Sequence, residues 1–271
     1  MSANLTQLLS IMEQLRTPKI GCPWDLKQTF DSVVPHTIEE AYEVADAIAN
    51  KDFDDLKGEL GDLLFQVVFY AQMAKEQELF EFDDILAVLN EKLIRRHPHV
   101  FSTSEFTTDE EINANWEAEK EKERLKKAQS LNVEESILDN IPLALPAMTR
   151  AYKIQKRVAS VGFDWTELES VIAKIHEEID EVLVEVKRKD LNAEEQKERI
   201  VDELGDLLFA NINLVRHLKA NPEQVLNQAN HKFSSRFRLV EQHVKASGKE
   251  MGDCTLNELD AIWNEVKKEQ L

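Results

Sequence analysis

The chain has 271 residues, 42% of them hydrophobic, and a formal net charge of −19. That charge argues against a nucleic-acid backbone as partner, because such binding rests on Lys and Arg contacts to phosphate. It leaves room for a small phosphorylated ligand, since a bound cation inverts the local field. No stretch approaches the ~20 apolar residues of a membrane span, and residues 1–15 lack the basic start and cleavage site of a signal peptide. Two scattered cysteines, Cys22 and Cys254, suit neither a disulfide framework nor a zinc site. They point to a reduced, cytoplasmic protein.

Leu5, Leu8, Leu9, Met12 and Leu15 recur at helical spacing and predict a first helix. Gly21-Cys22-Pro23-Trp24-Asp25 reads as a loop. Thr37, three residues before Glu40, is a capping box that opens a second helix running to about residue 50. Residues 54–78 form a third, with Leu56, Leu60, Leu63, Leu64, Val67, Val68 and Ala71 on a wide apolar face. Residues 82–96 form a fourth, stopped by His97-Pro98. A charged helix covers 109–129, a polar connector 130–139, and residues 141–146 are extended. Thr166 and Glu169 form a capping box in the second half, whose helices cover 167–189, 193–218, 222–246 and 256–268. No segment alternates as a strand does, so the fold class is all-α.

The chain repeats itself. Residues 39–43 read EEAYE and 59–65 read ELGDLLF; residues 177–181 read EEIDE and 203–209 read ELGDLLF again. Lys92 and Arg96 match Lys232 and Arg236, and Trp116 matches Trp263. Spacing changes between motifs, where loops absorb it, and never within them. The chain is therefore a duplication of two units of roughly 120 residues, an ordinary domain size. The domains are 1–130 and 131–271, and the broad apolar faces predict cores completed by an obligate homodimer.

What is duplicated is a set of acids. Helix positions i and i+3 or i+4 share a face, so Glu178 and Glu181 point one way, as do Glu203 and Asp206. Antiparallel packing of the two helices would bring all four together. Glu40, Glu43, Glu59 and Asp62 form a second set. Gly205 lies inside the acidic pair, where it is expected to admit the neighbouring helix closely. Four carboxylates without a cation would repel and take up protons, and oxygen-only ligands suit Mg²⁺ or Mn²⁺. A single acidic motif in a chain with 52 Asp and Glu would be surface charge; its repetition beside the buried Leu-Leu-Phe favours a metal site. A di-iron bundle would need Glu-x-x-His on two helices, which these helices lack.

Lys232 with Arg236, and Lys92 with Arg96, share a helix face and could clamp phosphate oxygens. Trp116 and Trp263 are candidates to stack on a base, or to fill a core. Gly162-Phe163-Asp164-Trp165 and Cys22-Pro23-Trp24-Asp25 precede the first acidic helix of each half and read as loops that seat that helix or border the site. No Walker A sequence is present.

The paired EExxE and ExxD motifs resemble those of the all-α nucleoside triphosphate pyrophosphatases. With GCPWDxxQT, RRHPHVF, IPxxLPAxxRAxKIQKR and VGFDW, nearly the whole chain looks like a two-domain bacterial member of the MazG family. The resemblance implies a homodimer of helical domains that hydrolyses nucleoside triphosphates to monophosphate and pyrophosphate. It implies Mg²⁺ dependence, broad base tolerance and a housekeeping role. Glu178, Glu181, Glu203 and Asp206 would then hold metal, with Glu177 orienting or deprotonating a water. Lys174, Arg199, Lys232 and Arg236 would neutralise phosphate. A pyrophosphatase narrow for one nucleotide and a non-catalytic helical interaction module are the competing readings. His36 and Asp55 stand in the first half where the second has Lys174 and Arg199. The second site is therefore expected to hold a triphosphate better and to be the stronger catalyst.

Overall fold

The computed structural model describes residues 3–102, 106, 108–131 and 136–269. Its regular structure is helical, with no strand among the described residues. The chain divides into two compact units, Met1–Lys122 and Glu123–Leu271. The division falls inside a helix, a few residues before the expected 130/131 boundary. Among the described residues no helix is long and apolar enough to cross a membrane.

The first unit contains α1 (Ala3–Leu15), α2 (Phe30–Asn50), α3 (Phe53–Glu76), α4 (Phe82–Arg96), the short α5 (Pro98–Phe101) and the start of α6 (Asp109–Leu131). α1, α2 and α4 pack on α3. Met12, Val33, Val68, Phe69, Met73 and Phe82 make the core. Burying each large apolar side chain contributes about 1.5–3 kcal/mol before entropy is charged against it. Only one side of the predicted α3 stripe is covered: Val68 and Ala71 are buried, while Leu60, Leu64 and Val67 stay exposed.

The second helix begins earlier than Thr37. Thr29 is its N-cap, accepting from Ser32 N at 3.2 Å while Thr29 N donates to Ser32 Oγ at 2.8 Å. Pro35 lies inside α2, close enough to its start that few intrahelical bonds are lost. Thr37 caps nothing; its hydroxyl bonds Val33 O at 3.2 Å and the Tyr70 hydroxyl of α3 at 3.0 Å. Lys51 then turns the chain in the left-handed region, and Asp52 caps α3 through Asp55 N.

The second unit contains α7 (Ala147–Ala159), α8 (Leu168–Lys187), α9 (Ala193–His217), α10 (Pro222–Ala246) and α11 (Leu256–Glu269). α7 is absent from the sequence reading, which stopped at the proline-rich 141–146 stretch. Met148, Ala151, Gln155 and Val158 nevertheless repeat at helical spacing, and Pro146 stands just before the helix. Thr166 is not a cap: Glu167 occupies that position on α8 without a side-chain bond. α9 opens on a capping box between Asn192 and Glu195. Val240, Val244 and Val266 form the α10–α11 core.

One buried cation ties the first unit together. Arg16, just past α1, makes a two-pronged pair with Glu76 at the end of α3, Nε to Oε1 at 2.9 Å and NH2 to Oε2 at 2.7 Å. Its NH1 also donates to the backbone oxygens of Asp25 and Gln28, pinning the Gly21–Asp25 loop. Burial alone would raise the Glu76 carboxyl, but the Arg16 hydrogen bonds outweigh it and hold it below the usual glutamate range. Arg16→Met should cost this unit about 2 kcal/mol in urea denaturation, less than a fully buried pair because Glu76 is partly exposed. A glutamate held low stabilises above its unfolded value of about 4.3 and loses that contribution as pH falls through the folded value. Glu76→Gln should therefore flatten the acid limb of the stability curve below about pH 4.3.

Candidate metal centre and cavity

α8 and α9 are joined by a short connection, so they run antiparallel and pack along their length. This packing gathers the second set of acids. Glu178 of α8 and Glu203 and Asp206 of α9 each place an oxygen within 4.8 Å of the other two. Glu178 is only 4% exposed. Its Oε2 has no hydrogen-bond partner among the described residues, a costly state for a buried carboxylate. Glu181 flanks this trio. Burial first, then the negative charges of Glu178 and Glu203, push its carboxyl above the usual range. An all-oxygen set with an orphaned buried oxygen fits a hard divalent cation.

Lys174 stands one turn before the cluster. Its Nζ lies 2.8 Å from Glu178 Oε1 and 2.9 Å from Glu177 Oε1. Hydrogen bonds with Glu178 and Glu177 hold the ammonium well above the usual lysine range. Lys174 thus offsets the charge of Glu178 and Glu177 in this structure, and it also lines the adjoining cavity.

A cavity of ≈ 550 Å³ opens beside the cluster. Glu178, Lys174 and Asp206 line one part of it. Val171 on α8 and Asn213 on α9 line another, each seven residues along its helix, or about 10 Å. The Gly162-Phe163-Asp164-Trp165 loop closes the wall, which is the bordering role read from the sequence. Asp164 anchors that loop to α9 through Arg216 and His217. Burial would raise the Asp164 carboxyl, but the bonds from Arg216 and His217 prevail and hold it low.

The first unit assembles a similar but not identical trio. Glu40 and Glu43 of α2 and Glu59 of α3 place oxygens within 4.8 Å of one another. Asp62 stands outside the trio, as Glu181 does in the other unit. Burial, then the charges of Asp62 and Glu43, raise the Glu40 carboxyl. Burial, then Glu43 and Asp55, raise Glu59. Gln66 Nε2 donates to Glu40 Oε1 at 3.4 Å. His36, in the place of Lys174, pairs with Glu39 at 3.6 Å instead.

The other predicted residues lie apart from the cavity wall. Arg199 lines a separate groove with Glu195, Glu198 and Asp202, which shares Asp206 with the cavity. Gly205 lies in that groove, and a Cβ there would meet nothing within 4 Å. The expected close approach of a neighbouring helix is therefore corrected: the glycine faces outward. Lys232 and Arg236 sit on α10, and Trp263 of α11 packs on Phe233 with ring centroids 5.0 Å apart. Lys92 lines a hollow with Phe80, Ile85 and Leu89. Trp116 Nε1 donates to Arg96 O at 3.0 Å, which ties α6 to α4. Gln155, Asn213 and Arg216 are on the cavity wall without being predicted for the site: Gln155 lies in the IPxxLPAxxRAxKIQKR stretch, which carries the family resemblance and not a role, and no motif marks Asn213 or Arg216.

Residues 28–101 and 166–240 each match the sequence profile of the MazG nucleotide pyrophosphohydrolase domain. The chain belongs to the MazG family. Both acid trios fall within the MazG stretches. A nucleoside triphosphate pyrophosphohydrolase of Escherichia coli (strain K12) is 52% identical over 99% of this chain and 98% of its own. A nucleoside triphosphate pyrophosphohydrolase/pyrophosphatase MazG of Thermotoga maritima is 41% identical over 96% of this chain and 94% of its own. The solved structure of a mazG-related protein from Thermotoga maritima covers 43% of this chain and 98% of its own, at 28% identity and TM-score 0.37.

The Lys174 contact yields a two-sided test of this MazG site. Lys174→Met removes an ammonium that competes for the Glu178 oxygens. Mg²⁺ alone should then bind about fivefold tighter by calorimetry, the ~1 kcal/mol of a partly exposed ion pair. Nucleotide affinity should fall in the same variant, because a positive charge beside the cavity is gone.

Proposed function

We propose that this chain hydrolyses nucleoside triphosphates to the monophosphate and pyrophosphate, using Mg²⁺ or Mn²⁺ and accepting both ribo- and deoxyribonucleotides. The observation that carries the reading is the acid trio of the second unit, two of whose members, Glu178 and Asp206, stand on the wall of a nucleotide-sized cavity. The names of the MazG relatives support the same reaction. Glu178, Glu203 and Asp206 would hold the cation, with Glu181 beside them to complete the set. Bound there, a divalent cation would supply positive charge for the phosphates and acidify a water. Glu177, which accepts a hydrogen bond from Lys174, would take the proton as the water oxygen bonds to the α-phosphorus. The bond from that phosphorus to the bridging oxygen breaks, and pyrophosphate departs with the electron pair. Lys174 offsets charge on the phosphates as they enter.

Incubation with a nucleotide panel and Mg²⁺ should release pyrophosphate and no orthophosphate. Glu178→Gln should lower kcat about 100-fold or more, the scale of losing an electrostatic stabiliser, with helicity by circular dichroism unchanged. The matched pairs Glu40→Gln/Glu43→Gln and Glu178→Gln/Glu181→Gln assign the work between units. Most turnover should vanish with the second pair. Orthophosphate release, or full activity in Glu178→Gln, would overturn the reading.

A homodimer belongs to the same proposal. Ile179, Leu183 and Val186 on α8 and Leu204 and Leu208 on α9 are exposed apolar side chains. Patches of this kind mark contact surfaces. Light scattering at micromolar concentration should give twice the chain mass, and Leu208→Asp should shift it toward the monomer.

A further inference from the structure

The cavity of the second unit carries a second buried oxygen without a partner among the described residues, on a helix that bears none of the acid motifs. Gln155 of α7 is 4% exposed and lines the cavity. Its Nε2 donates to the backbone oxygen of Phe209 on α9 at 2.7 Å. A carbonyl only accepts, so this bond fixes which end of the amide faces α9. The other end, Oε1, is buried with no hydrogen-bond partner among the described residues. A buried acceptor left so costs about 1–3 kcal/mol, which a donor supplied by a ligand would remove.

The surroundings say what kind of donor fits. Gln155 meets α9 at Phe209, about one turn along from Asp206 and its acid trio. Phe163, Trp165 and Phe209 give the same wall flat apolar surface, and Phe163 and Trp165 are well exposed. Asn213 also lines this part. Arg216 holds its Oδ1 through Nε at 3.0 Å and NH2 at 2.8 Å. That bond fixes the amide so that its N–H₂ end lies on the opposite side. Aromatic surface with one fixed acceptor and one fixed amide donor suits a flat heterocycle bearing an N–H beside an acceptor.

We propose that Gln155 reads the pairing edge of the nucleobase, its Oε1 accepting an N–H that every ordinary base carries there. The proposal rests on the reading above, in which the acid trio seats the triphosphate. Adenine and cytosine present an exocyclic amine; guanine, uracil and thymine present a ring N–H. A lone acceptor is satisfied by all of them. It tests for an intact edge and not for a particular base, so it permits breadth while rejecting rings without an edge donor.

The test compares ATP with purine riboside triphosphate, which has the same ring system with hydrogen in place of the amine and no N–H on that edge. On the full chain with Mg²⁺, kcat/KM should favour ATP about tenfold or more, chiefly through KM. Gln155→Met, close in volume, should bring the ratio near one. Calorimetry with AMP and purine riboside monophosphate should show the same preference without turnover. Equal kcat/KM for the two substrates in the native chain would overturn the proposal. So would a Gln155→Met variant that weakens both substrates alike and keeps their ratio, since Gln155 would then only brace α7 on α9. If neither triphosphate yields pyrophosphate, the proposed reaction fails, and the monophosphate ratio still decides the role of Gln155.

Discussion

Mutual repulsion among carboxylates is the constraint on which the site depends. Glu178, Glu203 and Asp206 converge to within 4.8 Å because α8 and α9 are locked together by the packing on both sides of them. Isolated acids would move apart or take up protons, and Glu181 shows the strain as a carboxyl held above its usual range. The protein keeps the cluster together with one ammonium, that of Lys174, against the buried Glu178. In the proposed function, the repulsion already present in the cluster is what a bound dication would relieve.

The two units show how far a duplicated motif can drift while its geometry persists. Both gather three oxygens, but not the homologous three: Asp62 stands aside in one unit, Glu181 in the other. The supporting groups differ more. The second unit sets Lys174 on its acids and opens a cavity of ≈ 550 Å³ against them. The first sets Gln66 against Glu40, a neutral donor, and turns His36 to Glu39. A neutral amide relieves less repulsion than an ammonium, which accords with raised carboxyls at both Glu40 and Glu59. Membership of the MazG family covers both units, so ancestry alone does not distinguish them.

Anchoring of the loops before each acidic helix follows one logic with different residues. In the first unit Arg16 reaches the backbone of the Gly21–Asp25 loop and the end of α3 at once. In the second, Asp164 within the loop reaches back to Arg216 and His217 at the end of α9. The sign of the anchoring pair is reversed. Each arrangement fixes the loop to the helix that carries the ExxD acids.

The acids, their pairing on helix faces, the all-α class and the duplication were legible in the sequence, because helical periodicity and repetition are properties of order along the chain. Family membership was legible for the same reason. The start of α2 was not: Pro35 and Thr37 suggest a beginning, while the Thr29–Ser32 box, a weaker pattern, supplies the true one. The clustering of Glu178 with Glu203 and Asp206 was legible, but not that Lys174 would lie on Glu178, since a lysine one turn away can reach toward the acids or toward solvent. Gly205 invited a close-packing argument that the open space around it rejects. The role of Gln155 depended entirely on tertiary structure. Its meaning lies in a bond to Phe209, fifty-four residues away, and in an oxygen left without a partner on a cavity wall. Sequence order determines which groups a helix carries; only the packing of helices decides which of those groups are left needing something from outside the protein.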